Sequence, residues 1–167
     1  MKRKGKYKQL ENTLNKAILI SDITDRSNDF QVKYNSKLVN DNDFIEIKLT
    51  AKKPVVNFGK LNPNKYYSLV MVDPDVPPKF GSGYYIHWAK VNIKGSNKKG
   101  DTICEYEAPN PPAWDGKHRY FFILYEQSDK VINNIKCERL YKKYNDFVEK
   151  LGVFILGKKL KYYITKN

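Results

Sequence analysis

His87 and His118 are the only histidines of this chain, and each stands among residues able to set its charge. Three segments concentrate the reactive side chains: Asp73-Pro74-Asp75-Val76-Pro77-Pro78, Tyr84-Tyr85-Ile86-His87-Trp88, and Tyr106-Glu107-Ala108-Pro109-Asn110-Pro111-Pro112 leading to Gly116-Lys117-His118-Arg119-Tyr120. Imidazole and phenol groups donate hydrogen bonds to an anion, while an adjacent carboxylate orients an imidazole or raises its pKa. Proline fixes φ and restricts the residue before it, so these segments are stiff without help from a helix. Stiff loops at neighbouring strand ends make pockets, and the expected chemistry is acceptance of a small anion. A structural reading stands beside this one. Either histidine alone serves as a satisfied core residue, Asp75 and Arg119 form a buried ion pair, and Trp88 belongs to the core.

Other chemistries find less support. Gly95-Ser96-Asn97-Lys98-Lys99-Gly100-Asp101-Thr102 has the spacing of a phosphate loop, but Asp101 stands where the lysine is required and would repel a phosphate. Gly81-Ser82-Gly83 lacks the pattern of a hydrolase elbow. Asp73, Asp75, His87 and His118 show no metal-ligand spacing, so neither a metal nor another cofactor is expected. An enzyme using His87 and His118 as acid and base on a phosphoester is the rival reading, though no activated nucleophile accompanies them.

The elements that must position these residues are mostly strands. Phe30 to Tyr34 alternates apolar and polar residues, and Phe44 to Leu49 leans to the same period, with Asn40-Asp41-Asn42 as the turn between them. Tyr66 to Val72 is nearly continuously apolar, which predicts a strand covered on both faces and ending at Asp73-Pro74. Tyr84 to Ile93 and Thr102 to Glu107 read as a strand pair around the exposed loop Lys94 to Gly100. Arg119 to Gln127 is predicted to be central, and Leu160 to Thr165 closes the chain. Helical spacing is read over Gln9 to Ile20 and, more clearly, over Glu138 to Leu151 with Gly152 as its stop. This order argues for one antiparallel, mostly β domain over residues 9–167, behind a basic tail at 1–8.

Composition sets the outer bounds. The 167 residues suit a single domain, and 41% hydrophobic with 29% charged residues allow a core to form. The longest apolar run, Tyr120 to Tyr125, is far short of the ~20 residues of a spanning helix. A net charge of +13 favours anionic partners: an acidic protein, or an anionic membrane touched peripherally through basic residues. Without a recognition signature no specific nucleic acid is expected. Cys104 and Cys137 stand far apart and outside any Cys-x-x-Cys, and no apolar leader follows the basic start, so a cytoplasmic chain with reduced thiols is expected.

Asp73-Pro74-Asp75 with Pro77, the downstream His87-Trp88, and Pro111-Pro112 followed by Gly116 and His118-Arg119-Tyr120 resemble the phosphatidylethanolamine-binding protein family, in that family's order and spacing. Tyr66 to Val72 and Phe122 to Gln127 look similar as well, so the resemblance covers roughly residues 20 to 165. It implies an α+β fold, mostly β, with a large antiparallel sheet packed on a smaller one and short flanking helices, one near the C-terminus. It also implies a shallow pocket for phosphate-bearing groups such as phospholipid head groups, with no enzymatic reaction. By position, Asp73, Tyr85, His87, His118 and Tyr120 would line that pocket, Pro77, Pro111 and Pro112 would wall it, and Asn110 would contact the anion. Asp75, Trp88 and Arg119 would support it structurally. Animal relatives restrain a kinase, plant relatives regulate flowering through scaffold partners, and others inhibit a serine carboxypeptidase; fold kinship does not choose among these. Two departures stand out: Ala108 replaces a common glycine, and no counterpart of the animal rim aromatic is identified between Pro78 and Tyr84.

Overall fold

Alternation along the strands builds two sheets with a core on each side of the larger. The computed structural model describes residues 29–132, 134–151 and 155–167; the basic tail and the helix read over Gln9 to Ile20 lie outside them. In chain order the strands are β1 (Gln31–Tyr34), β2 (Lys37–Leu38), β3 (Asp43–Phe44), β4 (Val55–Asn57), β5 (Tyr66–Val76), β6 (Gly83–Lys94), β7 (Asp101–Cys104), β8 (His118–Gln127), β9 (Leu140–Tyr141) and β10 (Ile155–Thr165), with helix α1 (Tyr144–Lys150) before the last. The small sheet runs β2-β1-β4, and the large one runs β3-β10-β8-β5-β6-β7 with β9 added beside β6. All pairings are antiparallel except β3 with β10. The mostly β, two-sheet architecture is therefore the one anticipated.

Strands β5 and β8 are central and buried on both faces, as their apolar runs predict. Along β8, Tyr120, Phe122 and Leu124 join the core shared with Phe30, Val32 and Tyr34 of the small-sheet side. Phe121, Ile123 and Tyr125 point the other way, into a core closed by Tyr144, Phe147 and Leu151. β6 breaks this alternation beside the cavity: Met71 pairs with Trp88 and Val72 with Ile86, so His87 is an extra, bulged residue. Such a bulge re-aims a side chain, and here it puts His87 beside Trp88 on the small-sheet side of the large sheet.

Several boundaries differ from the sequence reading. β5 continues through Asp73-Pro74-Asp75 to Val76, because its ladder with β8 ends at Val72 opposite Phe121. Pro74 therefore withholds an N–H from no β8 partner. The Asp75 carboxylate takes over instead, accepting from the Arg119 backbone N–H at 2.9 Å. Of the expected strand at 44–49 only Phe44 is paired, at the end of β3; Ile47–Thr50 is a 3-10 turn, closed by Thr50 Oγ1 donating to the Ile47 carbonyl. The strand expected to reach Glu107 stops at Cys104.

The largest difference concerns residues 138–151, of which only Tyr144–Lys150 is α-helical. Tertiary bonds override the local helical spacing: Leu140 and Tyr141 pair with Tyr85 and Tyr84, and Cys137 is joined to Cys104 by a disulfide. The expectation of two reduced thiols is thus corrected. No spacing rule could pair two cysteines 33 residues apart. Among the described residues no helix is long and apolar enough to cross a membrane.

Candidate functional site

Beyond the last β5–β8 ladder pair, the two strands are joined by side chains. His118 Nδ1 donates to Asp73 Oδ2 at 2.7 Å, and its Nε2 donates to Asp115 Oδ2 at 2.8 Å. With a carboxylate on each nitrogen, the ring is held as an imidazolium. Burial opposes that charge, but hydrogen bonding and attraction to Asp73, with Asp115 and Asp75 adding, push its pKa up to about 9. The second oxygen of Asp73 accepts the Asp75 N–H at 2.7 Å. Asp75 in turn grips Arg119 through Nε at 2.9 Å and one terminal nitrogen at 3.0 Å. Both side chains are almost fully buried, so the structural ion pair read from the sequence is present.

His87 is held differently. Its bulged backbone carbonyl accepts from the Glu107 N–H at 2.8 Å, and its Nδ1 donates to the Glu107 carbonyl at 2.8 Å. Burial pushes its pKa down, against the pull of the Glu107 carbonyl and the Asp73 and Glu107 carboxylates. A neutral His87 with its proton on Nδ1 leaves Nε2 as a bare acceptor, and that atom has no hydrogen-bond partner among the described residues. The ring is braced by Tyr85 at 4.8 Å and by Tyr120, edge-on, at 5.1 Å. Burial, and then the nearby Asp73 carboxylate, keep the Tyr120 phenol protonated far above its usual range. Its ring stacks on Tyr163 at 5.3 Å.

These groups enclose a cavity of about 520 Å³, and Asp73, Pro77, Tyr85, His87, Asn110, Pro111, Pro112, His118 and Tyr120 all line it. Every residue expected at the pocket is brought to one place, while Trp88 lies in the core with its indole near Tyr106. Ala108, at the position where a glycine was expected, also lines the cavity.

Sequence reasoning missed five contributors. Glu107 accepts the Tyr85 hydroxyl at 2.8 Å and pairs with Arg139 Nε at 3.1 Å. Arg139 also donates to the carbonyls of Ile86 and Glu105, both at 3.0 Å. Only the disulfide and β9 bring Arg139 and the cavity-lining Leu140 here, so no local pattern announces them. Asp115 lies three residues before His118, a spacing that was open to notice. Phe80 supplies the rim aromatic thought missing: it lines the cavity and packs at 6.2 Å from Trp114, with Lys79 Nζ 5.4 Å above the indole.

A large, mostly antiparallel sheet beside a small one, with a cavity at the ends of the central strands, defines the fold class. The chain belongs to the phosphatidylethanolamine-binding protein family, whose sequence profile matches residues 35–161. It is 33% identical over 108 residues to a 26 kDa secreted antigen of Toxocara canis, covering 60% of this chain and 41% of that protein. It is 38% identical over 73 residues to a putative odorant-binding protein A5 of Drosophila melanogaster, covering 42% of this chain and 35% of that one. The matches thus span about two-fifths of those relatives. Among solved structures, a carboxypeptidase Y inhibitor in complex with its cognate proteinase superposes with TM-score 0.68 at 20% identity over 96% of each chain. A phosphatidylethanolamine-binding protein from Plasmodium vivax does so with TM-score 0.67 at 22% identity, over 95% of this chain and 97% of that one. At these identities the likeness shows the fold.

Proposed function

We propose that the cavity is a non-enzymatic binding site for a phosphate-bearing group, such as a phospholipid head group, and that its occupancy regulates a protein partner of kinase, scaffold or protease type. The observation that carries this reading is the pair of unlike imidazoles. His118 is a cation held between two carboxylates, and His87 lines the same cavity with an Nε2 that has no hydrogen-bond partner among the described residues. An anion oxygen at Nε2 requires a proton there, so His87 takes one up as the ligand binds. It then donates to the Glu107 carbonyl and to the phosphate together. Neutral hydrogen bonds contribute a net ~1 kcal/mol and charged ones about twice that, so modest affinity is expected.

The sign of the pH dependence follows. Because neutral His87 must become cationic, affinity rises as pH falls toward its lowered pKa and weakens with rising pH. Isothermal titration with phosphorylethanolamine tests this, and His87→Gln should weaken binding by about tenfold, or ~1.4 kcal/mol. Equal affinity for the variant and for the wild-type protein would remove the cavity from the function.

A further inference from the structure

The two carboxylates on His118 are not equivalent. Asp73 lies within β5, 4% exposed, and is tied by its second oxygen to the backbone at Asp75. Asp115 comes from the turn closed by its own N–H to the Pro112 carbonyl at 3.0 Å, and its side chain is 26% exposed. It is flanked by the exposed Trp114 and by Gly116, where φ is 88° and open space surrounds the Cβ position. Asp115 is not among the residues lining the cavity, so it reaches His118 from outside the wall. The consequence for the site is direct: with both ring N–H groups taken, His118 has no donor left for a ligand.

We propose that Asp115 is a positioning residue that locks His118 as a doubly donating imidazolium, fixing one positive charge in the wall and reserving ligand hydrogen bonding among the imidazoles for His87. The second half rests on the phosphate-site reading, whereas the first stands on the ligand-free geometry. The groups bearing on His118 are Asp73 and Asp75 from β5, Asp115 from the turn, and Tyr120, which shares Asp73. Those bearing on His87 are Asp73, Glu107 and Arg139, with the Tyr85 and Tyr120 rings against it. Asp115 is the one of these that engages His118 Nε2.

The charge balance gives a distinctive expectation. In the wild-type protein the His118 imidazolium sits between the Asp73 and Asp115 carboxylates, so the cluster carries a net negative charge that changes little across neutral pH. In Asp115→Asn the isosteric amide still accepts a hydrogen bond but no longer holds the proton. Asp73 alone then balances His118 at low pH, leaving the cluster neutral, and loss of the His118 proton at high pH makes it anionic again. The variant should bind an anion more tightly than the wild-type protein at low pH and lose that advantage as pH rises.

Ring-nitrogen NMR on the ligand-free protein tests the lock. Wild-type His118 should stay protonated through neutral pH, with a midpoint near 9. Asp115→Asn, and Asp115→Ala as a second variant, should lower that midpoint by about one unit or more, a tenfold loss of proton affinity, while His87 titrates as before. An unchanged His118 midpoint would overturn the proposal. Glycerophosphoethanolamine, a phosphodiester that does not titrate near neutral pH, then probes the ligand half. The ratio of Asp115→Asn to wild-type affinity should fall as pH rises. A flat ratio, or ligand binding that breaks the His118–Asp115 bond and shifts Nε2 of His118 as far as that of His87, would contradict it. Failure of the wild-type protein to bind the diester would refute the phosphate-site reading alone, since the ligand-free titration still decides what Asp115 does.

Discussion

The same three central strands carry a buried polar cluster at each end, and the two clusters are built to opposite plans. At one end, Ser68 of β5, Asn92 of β6 and Gln127 of β8 form a network of uncharged side chains whose bonds are met within the protein, one of them by the Asp101 carboxylate, which accepts from Asn92 Nδ2 at 2.8 Å. Gln127 Oε1 accepts from the Ser68 hydroxyl and the Asn92 N–H, both at 2.8 Å, while its Nε2 donates to Asn92 Oδ1 at 3.1 Å and to the Asp129 carbonyl at 2.9 Å. Asn92 closes the circuit on the Val131 N–H and carbonyl at 2.8 and 2.9 Å. At the other end, Asp73, His87 and His118 of the same strands are charged or titratable, line a cavity, and leave His87 Nε2 without a partner among the described residues. A network whose donors and acceptors all pair internally fixes structure. One that stops short of closure offers its last position to a ligand.

The comparison breaks most visibly where charge is buried. Arg119→Met leaves the Asp75 carboxylate without its bidentate partner, and such a loss costs about 3–5 kcal/mol; urea denaturation should show it, with ligand affinity falling as β5 shifts beneath Asp73. Next comes the covalent tie behind the cavity. Reducing Cys104–Cys137, or replacing both by Ser, should lower stability by roughly 4 kcal/mol, the scale for a loop of this length. It should also weaken ligand binding, because Arg139 and Leu140 lie within three residues of Cys137. Mass-spectrometric thiol counting beside calorimetry separates the two effects. At the closed end, Asn92→Ala strands the Val131 N–H and should cost roughly 1–3 kcal/mol, yet leave affinity for phosphorylethanolamine unchanged. A parallel loss of binding there would erase the distinction between the two ends.

The smallest expected effect is on pH dependence. The folded-state pKa of His118 is raised from about 6.5 to about 9, so its contribution to stability is complete below pH ~6.5 and is lost as pH climbs through 9. His87 has the opposite sign: its lowered pKa contributes stability above pH ~6.5 that disappears as pH falls through the folded-state value. Thermal midpoints measured across this range should therefore decline in both directions. Asp115→Asn should flatten the alkaline limb, and Asn92→Ala should lower the whole curve without changing its shape.

Much of this contrast was legible in the sequence, and the illegible part has a physical cause. Nearly continuous apolar or aromatic runs marked β5 and β8, a β-rich run marked β6, and the scarce His, Asp and Pro residues marked the cavity end. The closed end went unnoticed because Ser68, Asn92 and Gln127 are ordinary residues whose pairing depends on register across strands 24 to 59 residues apart. The helix expected from Glu138 was displaced for the same reason, since a disulfide and a two-residue strand outweigh helical spacing. Asp115 was overlooked because a turn carboxylate acquires meaning only once its imidazole partner is in place.

The most direct test of the open end as a binding site is an NMR titration of the folded protein with phosphorylethanolamine, following the ring nitrogens of His87 and His118 beside the Asn92 and Gln127 side-chain amides. The account predicts saturable change at His87 with proton uptake on Nε2, a smaller response at the locked His118, and none at the closed end. Saturation with no change at His87, or no saturable shift at all, would contradict it and move the function to the outer surface.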